Sequence, residues 1–167
     1  LTVHPLRGNV QTRLRKLDEE QFDGIILAAA GLERLGLRER IAEYLPVDVS
    51  IPSVGQGALG VECLDSRKDL RHLLSRLDHE STRTCVEMER FLSKSLGGSC
   101  TAPLGAYARF SSGGMDMSAF VALPNGTTCL RVAGRTEKLS DRGLDLSRAL
   151  VDELIALGAL ELLSQIE

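Results

Sequence analysis

The chain has 167 residues, 43% of them hydrophobic, and a net charge of −3, which suits one globular domain or parts of two or three. That balance excludes a disordered chain and a polycation, and with few aromatics between the arginines no nucleic-acid partner is expected. No apolar run approaches the about 20 residues that cross a bilayer, so no membrane span is expected, and an opening Leu1-Thr2-Val3-His4-Pro5 without methionine reads as a cut or processed end.

Residues 2–6 read as the end of a strand, after which Arg7-Gly8-Asn9 turns the chain. Asn9 is a good N-cap, and Val10, Leu14 and Leu17 give the following helix one apolar face. Residues 1–17 hold Arg7, Arg13, Arg15 and Lys16 and no acid. Unpaired N–H groups and the positive end of the dipole lie at the same helix start, and guanidinium groups bind carboxylates two bonds at a time. Arg7 and Arg13 are therefore candidates for an anion site, with a solvated basic face as the plainer reading. Residues 25–30, Ile-Ile-Leu-Ala-Ala-Ala, form a continuous apolar run of the kind that is buried on both faces of a parallel sheet. The small residues from Ala28 to Gly31 would admit a ligand or a backbone, and Arg34 falls just past the strand end, where open α/β sheets place ligand groups. Short helices around Leu32–Leu35 and residues 41–45, broken near Gly36, complete this part.

Residues 46–57 are irregular, and in Val54-Gly55-Gln56-Gly57 two glycines flank one amide side chain. Such a segment is either a crossing hinge where backbone meets a ligand or a plain linker. Residues 58–64 read as another short strand, and Asp65-Ser66 as the cap of a helix bearing Leu70, Leu73, Leu74 and Leu77. From about residue 80 the pattern restarts. A helix over 80–96 carries Cys85, Met88, Phe91, Leu92 and Leu96 as a core stripe; strands over 104–110, 115–123 and 127–135 follow, the last two joined by Pro124-Asn125-Gly126. A helix over 141–157 and a short piece beyond Gly158 close the chain. Residues 80–167 thus read as a small α+β domain of helix, three-stranded antiparallel sheet and helix, and residues 1–75 as pieces of larger α/β units.

Four cysteines, Cys63, Cys85, Cys100 and Cys129, are widely spaced with no C-x-x-C pair. This argues against a zinc or other metal site, gives no support to a disulfide framework, and fits a reducing, cytoplasmic setting. Cys100 stands apart from the others. Gly97 and Gly98 can end a helix and Pro103 resists restarting one, so its thiol is expected on a short loop where it suits covalent attachment. Free cysteines are more often simply buried, and Cys85 is read that way.

Arg7-Gly8-Asn9-Val10-Gln11-Thr12-Arg13-Leu14, Ala30-Gly31-Leu32-Glu33-Arg34-Leu35-Gly36, Val54-Gly55-Gln56-Gly57-Ala58-Leu59-Gly60-Val61-Glu62 and Gly97-Gly98-Ser99-Cys100 occur in this order. Together they resemble porphobilinogen deaminase, the hydroxymethylbilane synthase family of haem and porphyrin biosynthesis, and the likeness is to its C-terminal half or so. The resemblance implies partial α/β lobes like those of periplasmic binding proteins, followed by a small α+β domain. Residues 1–52 would be the C-terminal half of the middle lobe and 53–57 a crossing hinge. Residues 58–77 would return to an N-terminal lobe not contained here, and 78–167 would form the C-terminal domain carrying the cofactor cysteine.

The resemblance also implies a transferase that joins four porphobilinogen molecules, with loss of ammonia, into the linear tetrapyrrole hydroxymethylbilane. Its primer is a dipyrromethane cofactor held by a thioether, here at Cys100. Arg7, Arg13 and Arg34 match arginines that bind the acetate and propionate groups of substrate and growing polypyrrole. Arg7, Arg13, Leu27, Ala28, Val54 and Gly57 match positions around the cofactor. The family's catalytic aspartate belongs to the N-terminal part, so no catalytic residue is expected in this chain, which should be inactive without a complementary N-terminal fragment. Two other readings stay open: a small-polyacid-binding module with an idle cysteine, and, more weakly, a thiol enzyme using His4, His72 or His79.

Overall fold

The computed structural model describes residues 1–98, 102–138 and 140–166, which divide into two compact units, Leu1–Leu45 and Pro46–Glu167. In the first, α1 (Val10–Asp18) starts where the sequence places it, with Asn9 Oδ1 accepting the Thr12 N–H at 2.8 Å. α2 (Ala29–Arg34) and a 3-10 turn (Arg38–Arg40) follow, and the turn is tied to α1 by an Arg40–Asp18 ion pair. Only Leu14 and Leu32 of this unit are buried hydrophobics.

The strands expected at residues 2–6, 25–30 and 58–64 do not form. All strand pairing among the described residues lies within 104–136. Residues 25–28 are not in a strand, helix α2 begins at Ala29, and Ile26 is 77% exposed. A strand needs a neighbour to take its N–H and C=O groups and a layer to cover its faces, and these runs meet neither among the described residues. The same holds for 58–64, where Leu59, Val61 and Leu64 are exposed. α3 (Lys68–Leu74) begins later than the Asp65-Ser66 pair suggested, because Asp65 pairs with Arg71 at 2.6 Å instead of capping. The helix expected over 41–45 is replaced by the 3-10 turn before it.

The second unit contains the expected α+β domain. α4 (Glu80–Ser95) leads to β1 (Leu104–Ser111), β2 (Gly114–Ala122) and β3 (Cys129–Thr136), then to α5 (Leu144–Ala156) and α6 (Ala159–Ser164). The strands form an antiparallel meander in the order β1-β2-β3, with Ala108 opposite Met117 and Met117 opposite Gly134. Alternation sends Met115, Met117, Ala119 and Val121 of β2 inward, and all are 1% exposed or less. Against them α4 lays Met88, Leu92 and Leu96, four residues apart, and α5 lays Leu146, Leu150, Val151 and Leu154. Cys85 and Phe91 sit at the margin of this core. Fully burying each large side chain contributes about 1.5–3 kcal/mol. Among the described residues seventeen buried ones therefore give this domain a core that the first unit, with two, lacks.

Two element starts differ from expectation by a few residues, for local reasons. β3 begins at Cys129 because Asn125 Oδ1 accepts the Thr127 N–H at 3.0 Å, extending the hairpin turn. α5 begins at Leu144 because Asp141 stands outside it and accepts the Gly143 N–H at 3.1 Å. On the outer face of the sheet Asp116 lies between Arg109 and Arg135, at 3.4 and 3.1 Å. Beside them Arg131 donates to the carbonyls of Asp48 and Val49, at 2.7 and 3.3 Å. Gly105 leaves room for this crossing segment: a Cβ there would stand 2.6 Å from the Pro52 carbonyl oxygen.

Candidate functional site

In the first unit Arg7 and Arg13, expected to form an anion site, lie about the start of α1. Arg13 folds back so that its Nε donates to the Gly8 carbonyl at 2.8 Å, and Lys16 Nζ reaches the Arg7 carbonyl at 3.3 Å. These bonds brace the Arg7-Gly8-Asn9 turn. Arg7 is exposed and Arg13 half-buried, while Arg34 occupies the exposed last turn of α2. Arg15 pairs with Glu19 at 3.5 Å, whereas among the described residues Arg7, Arg13 and Arg34 pair with no acid. A guanidinium group without an acid partner is able to take a carboxylate two bonds at a time. Leu27 is half-buried and Ala28 forms the extended N-cap of α2, with backbone free of a side-chain cap.

In the second unit α4 ends as the glycine pair suggests. The N–H groups of Gly97 and Gly98 return to the Lys94 and Ser93 carbonyls at 3.1 and 2.8 Å, and Gly97 is left-handed at φ 71°. The next position favours glycine, since a Cβ on Gly98 would stand 2.9 Å from the Ser93 carbonyl oxygen. Cys100 itself, with Ser99 and Thr101, lies outside the described residues. Among the described residues no three His, Cys, Asp or Glu side chains gather to hold a metal ion, and no helix is long and apolar enough to cross a membrane. His79 has its Nδ1 2.8 Å from Thr82 Oγ1.

Val54 is half-buried against the domain core, and Gly57 is exposed at φ 83°. Their loop borders a cleft of about 440 Å³ lined also by Cys85, Glu89, Tyr107 and Arg109. Glu89, only 5% exposed, is the residue that sequence reasoning missed. Its Oε2 accepts the Gly55 N–H at 2.7 Å and its Oε1 the Ala108 N–H at 2.9 Å. Burial raises the pKa of this carboxyl, and the two N–H donors pull the other way. Burial, and then the charge of Glu89, also raises the Cys85 thiol, which suits a packing cysteine rather than a nucleophile. A signal for Glu89 was present: it follows Cys85 by four residues and adjoins Met88, so it shares the buried side of α4.

The class these features describe is a unit whose Arg7, Arg13 and Arg34 pair with no acid among the described residues, followed by an α+β domain whose helix α4 ends in a glycine turn two residues before Cys100. The family model described as Porphobilinogen deaminase, dipyromethane cofactor binding domain, matches residues 1–72, and that described as Porphobilinogen deaminase, C-terminal domain, matches residues 83–152. The chain belongs to the porphobilinogen deaminase family. It is 49% identical to the porphobilinogen deaminase of Chromobacterium violaceum over 166 residues, covering 99% of this chain and 53% of that protein. Identity to the Methylobacillus flagellatus enzyme is 52% over 161 residues, 95% of this chain and 51% of the relative. For Nitrosomonas europaea it is 47% over 166 residues, 98% and 53%. The chain spans about half the length of the curated relatives it matches.

Proposed function

We propose that this chain is the cofactor-carrying C-terminal portion of a cytoplasmic transferase that condenses four porphobilinogen molecules into hydroxymethylbilane. Cys100 Sγ tethers a dipyrromethane through a thioether. When bound, that group serves as the primer to which each pyrrole is joined with loss of ammonia. Arg7, Arg13 and Arg34 hold the acetate and propionate groups of cofactor, substrate and growing chain. Backbone at Leu27, Ala28, Val54 and Gly57 lines the cofactor. Residues 1–52 act as half of a middle α/β lobe, 53–57 as a hinge, and 58–77 as a segment completed by an N-terminal lobe; 78–167 carry the tether. The exposed apolar side chains of 58–77, Leu59, Val61, Leu64, Leu73 and Leu77, support a surface that a complementary fragment covers.

The observation that carries this reading is the match of residues 1–72 to the family's cofactor-binding domain, on a unit whose Arg7, Arg13 and Arg34 have no acid partner among the described residues. The glycine turn that ends α4 two residues before Cys100 supports the same reading. The test is chromophore loading of the chain assembled with its N-terminal half, read by an Ehrlich-type colour. Cys100→Ala is expected to abolish the colour and Cys129→Ala to leave it. The reverse pattern would assign the tether to the wrong sulfur.

A further inference from the structure

We propose that Glu89 is a positioning residue: its carboxylate clamps the 54–57 loop to the α+β domain, so that one helix, α4, fixes both that loop and the turn leading to Cys100. Both carboxylate oxygens are used, one by the Gly55 N–H at 2.7 Å and one by the Ala108 N–H at 2.9 Å. Ala108 belongs to β1, so Glu89 bridges the loop to the sheet. Burying a carboxylate is costly, and an apolar side chain here would avoid that cost only by stranding two backbone donors. What the acid supplies is a partner for two backbone donors that would otherwise face the cleft unpaired.

A second set of bonds runs the same way. Arg131 holds the carbonyls of Asp48 and Val49, and the Pro52 carbonyl rests over Gly105. Residues 48–55 are therefore fastened to the domain at both ends. From Glu89, α4 continues to its end at Ser95, its glycine turn ends at Gly98, and Cys100 follows two residues later in the sequence. The other charged and titratable groups that line the cleft with Glu89 are Cys85 from α4 and Tyr107 and Arg109 from β1; the loop contributes only the neutral Gln56. Arg109 is engaged with Asp116, which leaves the two N–H groups as the partners of Glu89. The functional value of the clamp rests on the proposed role of Val54, Gly57 and Cys100 at the cofactor; the clamp itself does not.

The test begins with amide exchange in this chain. Glu89→Gln keeps the side-chain volume but offers one acceptor oxygen to two donors. Gly55 exchange is expected to accelerate about tenfold or more, the scale of one lost hydrogen bond to a charged group, while Met117 and Ala119 in β2 stay protected. Unchanged Gly55 exchange would overturn the clamp. Should the variant fail to fold, the unmutated chain decides: the Gly55 and Ala108 amide proton shifts should follow one shared ionisation, and a Gly55 shift that ignores it would overturn the clamp equally. In the chain assembled with its N-terminal half, Glu89→Gln should carry the same adduct on Cys100 as the unmutated protein but turn over porphobilinogen about tenfold more slowly. Equal turnover would overturn the positioning role. No adduct on Cys100 in the unmutated assembly would count against the proposed function and remove that role with it, while Gly55 exchange still decides the clamp.

Discussion

A carboxyl buried beside a thiol and two backbone N–H groups titrates under opposing forces. At Glu89 burial is the larger and raises its pKa. An acid whose native value lies above its unfolded one, about 4.3 for glutamate, contributes stability that is complete below the unfolded value. That contribution is lost as pH rises through the native value. The unfolding free energy of the unmutated chain relative to Glu89→Gln, measured in urea between pH 4 and 8, should therefore fall as pH rises. A relative stability that rises with pH would mean that the two N–H bonds outweigh burial. At this scale the sequence was legible where chemistry is local: Asn9 caps α1, and Gly97 and Gly98 end α4. At Glu89 it was legible only in part: the spacing from Cys85 places the acid on the buried side of α4, but its donor comes from a loop 34 residues away.

Among the elements, α4 and α3 carry similar leucines to opposite effect. Leu92 of α4 is fully buried between sheet and α5, whereas Leu77, just after α3, is 70% exposed. Leu92→Ala should destabilise the α+β domain by about 2–5 kcal/mol, the range for removing a buried leucine side chain. Leu77→Ala should change this chain by no more than about 0.5 kcal/mol. Equal effects in a urea titration would contradict the assignment of the core. The three strands of the domain could be read in advance because alternation, the Asn125-Gly126 turn and neighbouring strands all lie within a short stretch. The runs at 25–30 and 58–64 carry the same apolar signal, but a strand also needs partners, and the pairing that would make them strands is not found among the described residues. Pattern specifies which face wants burial; it does not supply the surface that buries it.

For the whole molecule, coverage of about half the relatives' length sets the expectation for activity. The purified 167-residue chain should not consume porphobilinogen, and adding the complementary N-terminal half should restore consumption. Steady hydroxymethylbilane formation by the chain alone would show that its own residues supply the proton chemistry assigned to that half. The order of motifs along the sequence pointed to the family before any fold was known, and both family models match in the same order. The two-unit division at residues 45 and 46 was less legible, because the bonds of Arg131 and Glu89 that fasten residues 48–55 to the C-terminal domain join positions far apart in sequence. The most direct measurement is a peptide mass map of the assembled protein. A dipyrromethane increment on the peptide containing Cys100, and on none containing Cys63, Cys85 or Cys129, is the predicted result. An unmodified Cys100 thiol in a preparation that contains both halves would contradict the tether and leave a module that binds polyacids.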